Sequence, residues 1–373
     1  MGAIPPPAVA LIVAGGTGGH LYPGIAVARA LRGRSPSWEV IFAVRRGDLG
    51  KTVLEQEGFR VQEIAGQGMP RAVHLRALAF PWNFLRSWAE AENAVRRLAP
   101  QVVIGMGGYL SFPVLLAARR RKIPTLIHEQ NVLPGLANRL LARWVDQVAV
   151  SFPGSEAHLK ARKIWVSGLP VRHEIGTVSR AEGRAAFGLD RDRLTFLVFG
   201  GSLGARRMNQ IVLEGWKELQ DLAGRFQVLH IAGPKNWRTM AAEYKALPIK
   251  SVVLGYCHEM AAAYGAADAV ICRAGASTVA ELAIAARPAI LIPFPYASDN
   301  HQMANARVLS GQGLAEVIEE KRLEAAEVAR RLRHWIETPE ALRRLQEAAN
   351  RSPLAEPMKH AAARLADAAA GGK

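Results

Sequence analysis

The sequence predicts an α/β protein of two doubly wound parallel-sheet domains. Three observations carry that expectation: short apolar runs alternate with helix-length segments along the chain, the alternation falls into two series of similar length, and each series opens with a strand running into a Gly-rich turn. Strands buried on both faces read as continuous apolar runs, and parallel strands need crossover helices between them. With 373 residues, the chain is too long for one comfortable core and suits two domains.

Strands are expected at Ala8–Ala14, Glu39–Val44, Gln101–Met106, Thr125–His128 and Gln147–Ser151 in the first half. In the second half they are expected at Trp165–Gly168, Thr195–Phe199, Gln227–Ala232, Ser251–Leu254, Ala269–Cys272 and Ala289–Pro293. The domain boundary is placed at the Gly/Pro turn Gly168–Val171, so that residues 1–171 form one domain and 172–352 the other. The Ala- and Arg-rich tail reads as two or three helices, with 353–373 the last of them.

Half of the residues are hydrophobic and 21% are charged, a globular composition. The net charge of +16 (48 basic against 32 acidic residues) suggests an anionic partner: nucleic acid, a phosphorylated substrate or an acidic membrane surface. The basic residues are dispersed, and no helix-turn-helix, zinc-finger or RNA-binding signature is present, which argues against nucleic acid. Two cysteines, Cys257 and Cys272, exclude a disulfide framework and match no zinc spacing. Residues 1–14 lack the basic start of a signal peptide, and no apolar run reaches the roughly 18 residues that a membrane-spanning helix needs.

Three turns can hold an anion. The first, Gly15 to His20, precedes a helix expected to start near Pro23; the second is Gly200 to Arg206; the third is Arg273 to Thr278. Glycines let backbone approach a ligand, and the helix that follows offers unpaired N–H groups and the positive end of its dipole. Any one of them alone reads equally as a tight strand-to-helix turn. None fits G-x-G-x-x-G or the Walker pattern, although Arg45 and Arg46 after the second strand would suit a 2′-phosphate. Glu281, three residues beyond Thr278, lies on the same helical face and could accept hydrogen bonds from a ribose diol or simply complement the dipole. Asp299-Asn300-His301-Gln302 could hold sugar hydroxyls or cap a helix.

These segments, with Pro23-Gly24, Gly105-Met106-Gly107-Gly108-Tyr109, His128-Glu129-Gln130-Asn131 and Asn305, stand in an order that resembles the MurG family of bacterial glycosyltransferases. The resemblance runs from about residue 8 to about 310. It implies the GT-B architecture, with two Rossmann-like domains facing across a cleft, and inverting transfer of N-acetylglucosamine (GlcNAc) from UDP-GlcNAc to the 4-hydroxyl of lipid I, giving lipid II. It also implies an acceptor-binding, membrane-associating N-terminal domain, a UDP-GlcNAc-binding C-terminal domain, and a last helix packed back on the first domain. Residue by residue, Thr17, Gly18 and Gly19 would border the transferring sugar, with Asn131 on the acceptor side. Arg172 would face the diphosphate; Ser202, Ala276, Ser277 and Thr278 would hold phosphate oxygens. Glu281 would bind ribose, the Cys257 backbone uracil, and Gln302 with His301 the GlcNAc hydroxyls. His20 is the expected base, with Glu129 as its rival. No cofactor or metal is implied, since UDP-GlcNAc is a substrate. Leu203 departs from the glutamine common in the family after the serine of the second turn, and Arg287 stands where glycine is common.

The lipid-linked acceptor that the resemblance implies would take the enzyme to the cytoplasmic face of the plasma membrane. The stretch from Val73 to Trp88 interleaves apolar and basic residues, with Leu75, Leu78, Phe80, Trp82, Phe84, Leu85 and Trp88 as expected contacts on an anionic bilayer. The same pattern also suits a core-facing helix with solvated arginines. Other cell-wall synthesis enzymes are partners that the resemblance admits. A UDP-GlcNAc 2-epimerase is the alternative enzyme class on paired Rossmann domains.

Overall fold

The computed structural model describes residues 8–15, 18–66 and 80–371. Its backbone divides into two units, Met1–Arg172 with Pro357–Lys373 and His173–Glu356. The expected boundaries lie beside these divisions.

Unit 1 contains β1 (Ala8–Val13), α1 (Gly18–Arg34), β2 (Trp38–Arg45), α2 (Gly50–Gln56), β3 (Arg60–Ile64), α3 (Phe80–Leu98), β4 (Val102–Gly105), α4 (Ser111–Arg120), β5 (Thr125–Glu129), α5 (Leu136–Leu141), β6 (Gln147–Val150) and β7 (Ile164–Val166). All its strand pairs are parallel, in the order β3-β2-β1-β4-β5-β6-β7. Apolar clusters cover both faces: Ile12, Phe42 and Ile104 point to one, Leu11, Ile41 and Val103 to the other. The expected strand at Trp165–Gly168 pairs with β6 as the last strand of this sheet, on the first-domain side of the expected boundary.

Unit 2 contains α6 (Arg180–Ala186), β8 (Leu194–Phe199), α7 (Arg206–Lys217), β9 (Phe226–Ile231), α8 (Trp237–Lys245), β10 (Lys250–Leu254), α9 (Met260–Ala266), β11 (Ala269–Cys272), α10 (Ala276–Ala285), β12 (Ala289–Leu291), α11 (His301–Ser310), β13 (Ala315–Val317), α12 (Ala325–Glu337) and α13 (Pro339–Asn350). Its parallel sheet runs β10-β9-β8-β11-β12-β13. The last helix, α14 (Ala355–Ala370), belongs to unit 1 over most of its length and contributes Leu365, Ala366 and Ala369 to the core there.

Strand order reverses between β1 and β4 in the first sheet and between β8 and β11 in the second. Open α/β sheets bind ligands outside the carboxyl ends of the strands at such reversals. All three Gly-rich turns follow β1, β8 or β11, so topology alone selects them as site-forming.

Both cores bury an uncharged histidine. His230 on β9 is wholly enclosed, its Nδ1 3.0 Å from the Tyr244 hydroxyl, and burial lowers its pKa to about 3. His128 on β5 is lowered to about 4, again chiefly by burial. The unfolded chain takes up these protons below the ordinary histidine pKa of about 6.5, while the folded protein does not, so stability declines as pH falls from there toward 4. Each histidine is expected to cost about 2 kcal/mol between pH 7 and pH 5. Thermal melts across that interval should show both units losing several degrees, whereas a flat Tm would contradict this reading.

Candidate active site

In unit 1, α1 begins at Gly18, placing Gly18, Gly19 and His20 in its first turn. The expected start near Pro23 is thus corrected: Pro23 sits inside the helix, where it lacks the N–H that would bond the Gly19 carbonyl. Thr17 lies outside the described residues. Facing His20 is the loop after β4, where Gly107 and Gly108 adopt φ of +96° and +81°. A Cβ at Gly107 would fall 2.8 Å from His20 Cε1, so this glycine makes room for the imidazole.

The end of β5 supplies the neighbours. His20 Nδ1 lies 3.2 Å from Gln130 Oε1, and the buried Gln130 amide nitrogen lies 2.7 Å from the Met106 carbonyl and 3.2 Å from His128 Nδ1. His128 Nε2 is 3.0 Å from the Gly168 carbonyl. Desolvation holds the His20 pKa below the usual histidine range, against the raising pull of the Glu129 charge and of hydrogen bonds to Gln130 and Met106.

Glu129 is almost wholly buried, and both its oxygens are engaged. Oε1 accepts from the Asn131 backbone N–H (2.9 Å) and side-chain amide (3.4 Å), Oε2 from the Gly135 N–H (3.0 Å) and the Asn138 amide (2.9 Å). The carboxylate thereby shapes the loop that presents Asn131. Arg172 stacks its guanidinium 5.6 Å from the Tyr22 ring centre, against α1.

Unit 2 places its two turns side by side at the β8/β11 reversal. Gly201 and Gly204 have φ of +94° and +75°, Ser202 is exposed, and Leu203 is 80% exposed. Helices α7 and α10 have Ala205 and Gly275 at their N-cap positions, with no side-chain cap, so their first-turn N–H groups remain available to an anion. Ala276, Ser277 and Thr278 form the first turn of α10.

Glu281, one turn further, accepts a 3.0 Å hydrogen bond from the Tyr264 hydroxyl, and Tyr264 in turn packs edge-on against Phe199. The Asn305 amide donates to the Ala274 carbonyl (3.3 Å), tying α11 to the third turn. Gln302 Oε1 accepts the Phe294 N–H (2.9 Å), and His301 opens α11 after Asp299 and Asn300, both left-handed at φ of +52° and +53°. Cys257 is buried between Tyr256 and His258, whose rings meet edge-on at 4.7 Å. Tyr264 and the Arg273–Glu320 ion pair that braces the third turn are not among the residues expected from the sequence, and Gln130 stands in the His128–Asn131 motif there with no role of its own. A glutamine beside His-Glu was the available signal for one of them; the others act across sequence distances that no local pattern spans.

Family comparisons cover both units. Residues 10–150 match the glycosyltransferase family 28 N-terminal domain, and residues 195–365 match its C-terminal domain. A protein of Thermodesulfovibrio yellowstonii named UDP-N-acetylglucosamine–N-acetylmuramyl-(pentapeptide) pyrophosphoryl-undecaprenol N-acetylglucosamine transferase is 38% identical over 336 residues, 90% of this chain and 92% of the relative. A protein of the same name from Desulfitobacterium hafniense is 39% identical over 347 residues, covering 91% and 93%. The chain belongs to this transferase family. The crystal structure of MurG from Acinetobacter baumannii superposes with a TM-score of 0.79 at 28% identity, covering 98% of this chain and all of that one. A UDP-GlcNAc 2-epimerase from Neisseria meningitidis reaches a TM-score of 0.66 at 13% identity, over 98% of this chain and all of the other, and so shares the fold alone.

Within the transferase family the expected site residues form two groups. His20, Gly18, Gly19, Glu129, Asn131 and Arg172 lie in unit 1; Ser202, Cys257, Ala276, Ser277, Thr278, Glu281, His301 and Gln302 lie in unit 2. Each of these residues is at or just beyond the carboxyl end of a strand, or in the helix or linker that follows it.

Of the expected membrane contacts, Leu75 and Leu78 lie outside the described residues, as does the side chain of Phe80, which opens α3. Trp82 and Leu85 project from α3 at 74% and 59% exposure. Phe84 instead packs between Trp88 and Phe112, with ring centres 6.2 and 6.1 Å away.

Proposed function

We propose that this protein transfers GlcNAc from UDP-GlcNAc to the 4-hydroxyl of the N-acetylmuramyl group in lipid I, releasing UDP and forming lipid II. The observation that carries this reading is identity of 38–39% to transferases of that name along 90–91% of the chain, spanning both units. In the reaction His20 accepts the proton of the acceptor hydroxyl as its oxygen attacks the anomeric carbon, and the bond to the UDP oxygen breaks on the opposite face. A neutral imidazole at physiological pH is suited to this task, and the lowered His20 pKa keeps it neutral.

Charge developing on the departing diphosphate meets the free N–H groups opening α7 and α10, with Ser202, Ser277 and Thr278 beside them. These fixed dipoles let the transfer proceed without a resident metal. Glu281 takes the ribose hydroxyls, held in place by Tyr264. Gln302 and His301 hold the GlcNAc, and the Cys257 backbone reads uracil. Glu129 serves as the buried anchor of the Asn131 loop, since its oxygens are already engaged. UDP release from UDP-GlcNAc tests the assignment: it should require a lipid I analogue, and release without acceptor would favour an epimerase or another acceptor.

No helix among the described residues is long and apolar enough to cross a membrane. The basic chain and the outward Trp82 and Leu85 support peripheral binding at the cytoplasmic face of an anionic membrane. Anionic vesicles should bind the protein, less so as salt rises, and Trp82→Ser should weaken binding about tenfold. Salt-insensitive or absent binding would contradict it.

A further inference from the structure

We infer that Gln130 is a positioning residue that dictates which nitrogen of His20 carries the proton, through a buried relay running from the Gly168 carbonyl to the His20 ring. A carbonyl can only accept. The Gln130 group 2.7 Å from the Met106 carbonyl must therefore be its NH2, which leaves its oxygen facing His20 Nδ1 at 3.2 Å. That oxygen also only accepts, so Nδ1 of His20 is the protonated nitrogen.

The other end of the relay requires the same orientation independently. His128 Nε2, 3.0 Å from the Gly168 carbonyl, must donate, so in the neutral ring Nδ1 of His128 is an acceptor, and the Gln130 NH2 lies 3.2 Å from it. Gln130 and His128 are 3% and 0% exposed, so water does not offer either amide face a substitute partner. With Nδ1 of His20 protonated, the lone pair of the neutral ring is at Nε2, the nitrogen farther from the backbone. The titratable groups whose charge acts on this ring are Glu129 and His128, both on β5, while Arg172 stacks on Tyr22 two residues along α1.

The catalytic consequence rests on the transferase reading above, but the tautomer does not. Two-bond ¹H–¹⁵N correlation spectra of the full-length protein labelled with ¹⁵N-histidine, with the His20 signal identified by its loss in His20→Asn, read the tautomer directly. The wild-type protein should show Nδ1–H on His20, and Nε2–H would overturn the inference at once. Gln130→Met removes the side-chain acceptor while keeping the length of the side chain, leaving His20 only its backbone partner at Met106. It should reduce the Nδ1–H signature in favour of Nε2–H and lower kcat about 10- to 100-fold, with KM for UDP-GlcNAc within about twofold of wild type.

Gln130→Glu keeps an acceptor at Nδ1. It should retain the signature, recover part of kcat and move the acid limb of kcat/KM to higher pH, a shift that a merely structural role would not produce. An unchanged tautomer or unchanged kcat in Gln130→Met, or an unmoved limb in Gln130→Glu, would overturn the inference. A wild-type protein that shows Nδ1–H but transfers no sugar supports the relay and overturns only the transferase reading.

Discussion

Replacing His20 by alanine is expected to lower turnover by a factor of about 10² or more while leaving UDP affinity nearly unchanged. The imidazole sits at the first turn of α1 in unit 1, against Gly107 and Gln130, whereas the helix N–H groups, Ser202, Ser277, Thr278 and Glu281 assigned to UDP belong to unit 2. Loss of the base should therefore act on the chemical step and spare the donor site. Steady-state kinetics together with calorimetric titration of UDP separate the two effects. Turnover like that of the wild type would remove His20 from the mechanism, and a parallel loss of UDP affinity would indicate that it supports folding or donor binding. The corresponding test at Glu129 has a different expected character. Removal of a carboxylate that anchors the Asn131 and Gly135 amides leaves buried donors unpaired, so Glu129→Ala should lose stability together with activity.

The second large effect is expected at Gly168, which has φ of +84° and lies against the first turn of α14. A Cβ there would fall 2.2 Å from the Pro357 carbonyl oxygen and 2.8 Å from the Met358 nitrogen, both backbone atoms that cannot swing aside. Nearby, the Leu169 N–H points at the Met358 sulfur at 2.9 Å. Gly168→Ala combines a left-handed backbone with a backbone clash and should destabilise unit 1 by about 3 kcal/mol or more, displacing α14. It also disturbs the carbonyl that His128 bonds, so activity should fall further than stability alone requires. Gly47→Ala is the control: φ is +73°, nothing lies within 4 Å, and the cost should stay near 1 kcal/mol. Equal melting temperatures for the two variants would contradict the packing described here.

Legibility in the sequence follows burial. Strands such as Ala10–Val13 and Val40–Val44 are buried on both faces and read as unbroken apolar runs. The two unexpected strands lie at sheet edges: β3, Arg60–Ile64, buries only Ile64 fully and carries Arg60, Gln62 and Glu63, while β13 is three residues long. An edge strand needs no apolar run, so nothing in its composition announces it.

The turns of the site were legible because glycine clusters and strand ends are local features. Their bracing was not. Gln130 meets His20 across 110 positions, Asn305 meets Ala274 across 31, and Tyr264 meets Glu281 across 17. Glu129 drew notice as a carboxylate in the motif, yet its role depends on the Gly135 and Asn138 donors, which only the folded loop brings to it. Likewise Phe84 and Trp88 share the apolar stripe of Trp82 and Leu85 in sequence, and it is the packing of Phe112 onto Phe84 that separates them.

The most direct test of the central claim is incorporation of labelled GlcNAc from UDP-GlcNAc into a short-chain lipid I analogue, with the product's anomeric configuration determined by NMR. A disaccharide carrying a β1→4 linkage, formed only when the acceptor is present, is the predicted result. Absence of labelled lipid, or retention of the donor's α configuration, would contradict the proposed function.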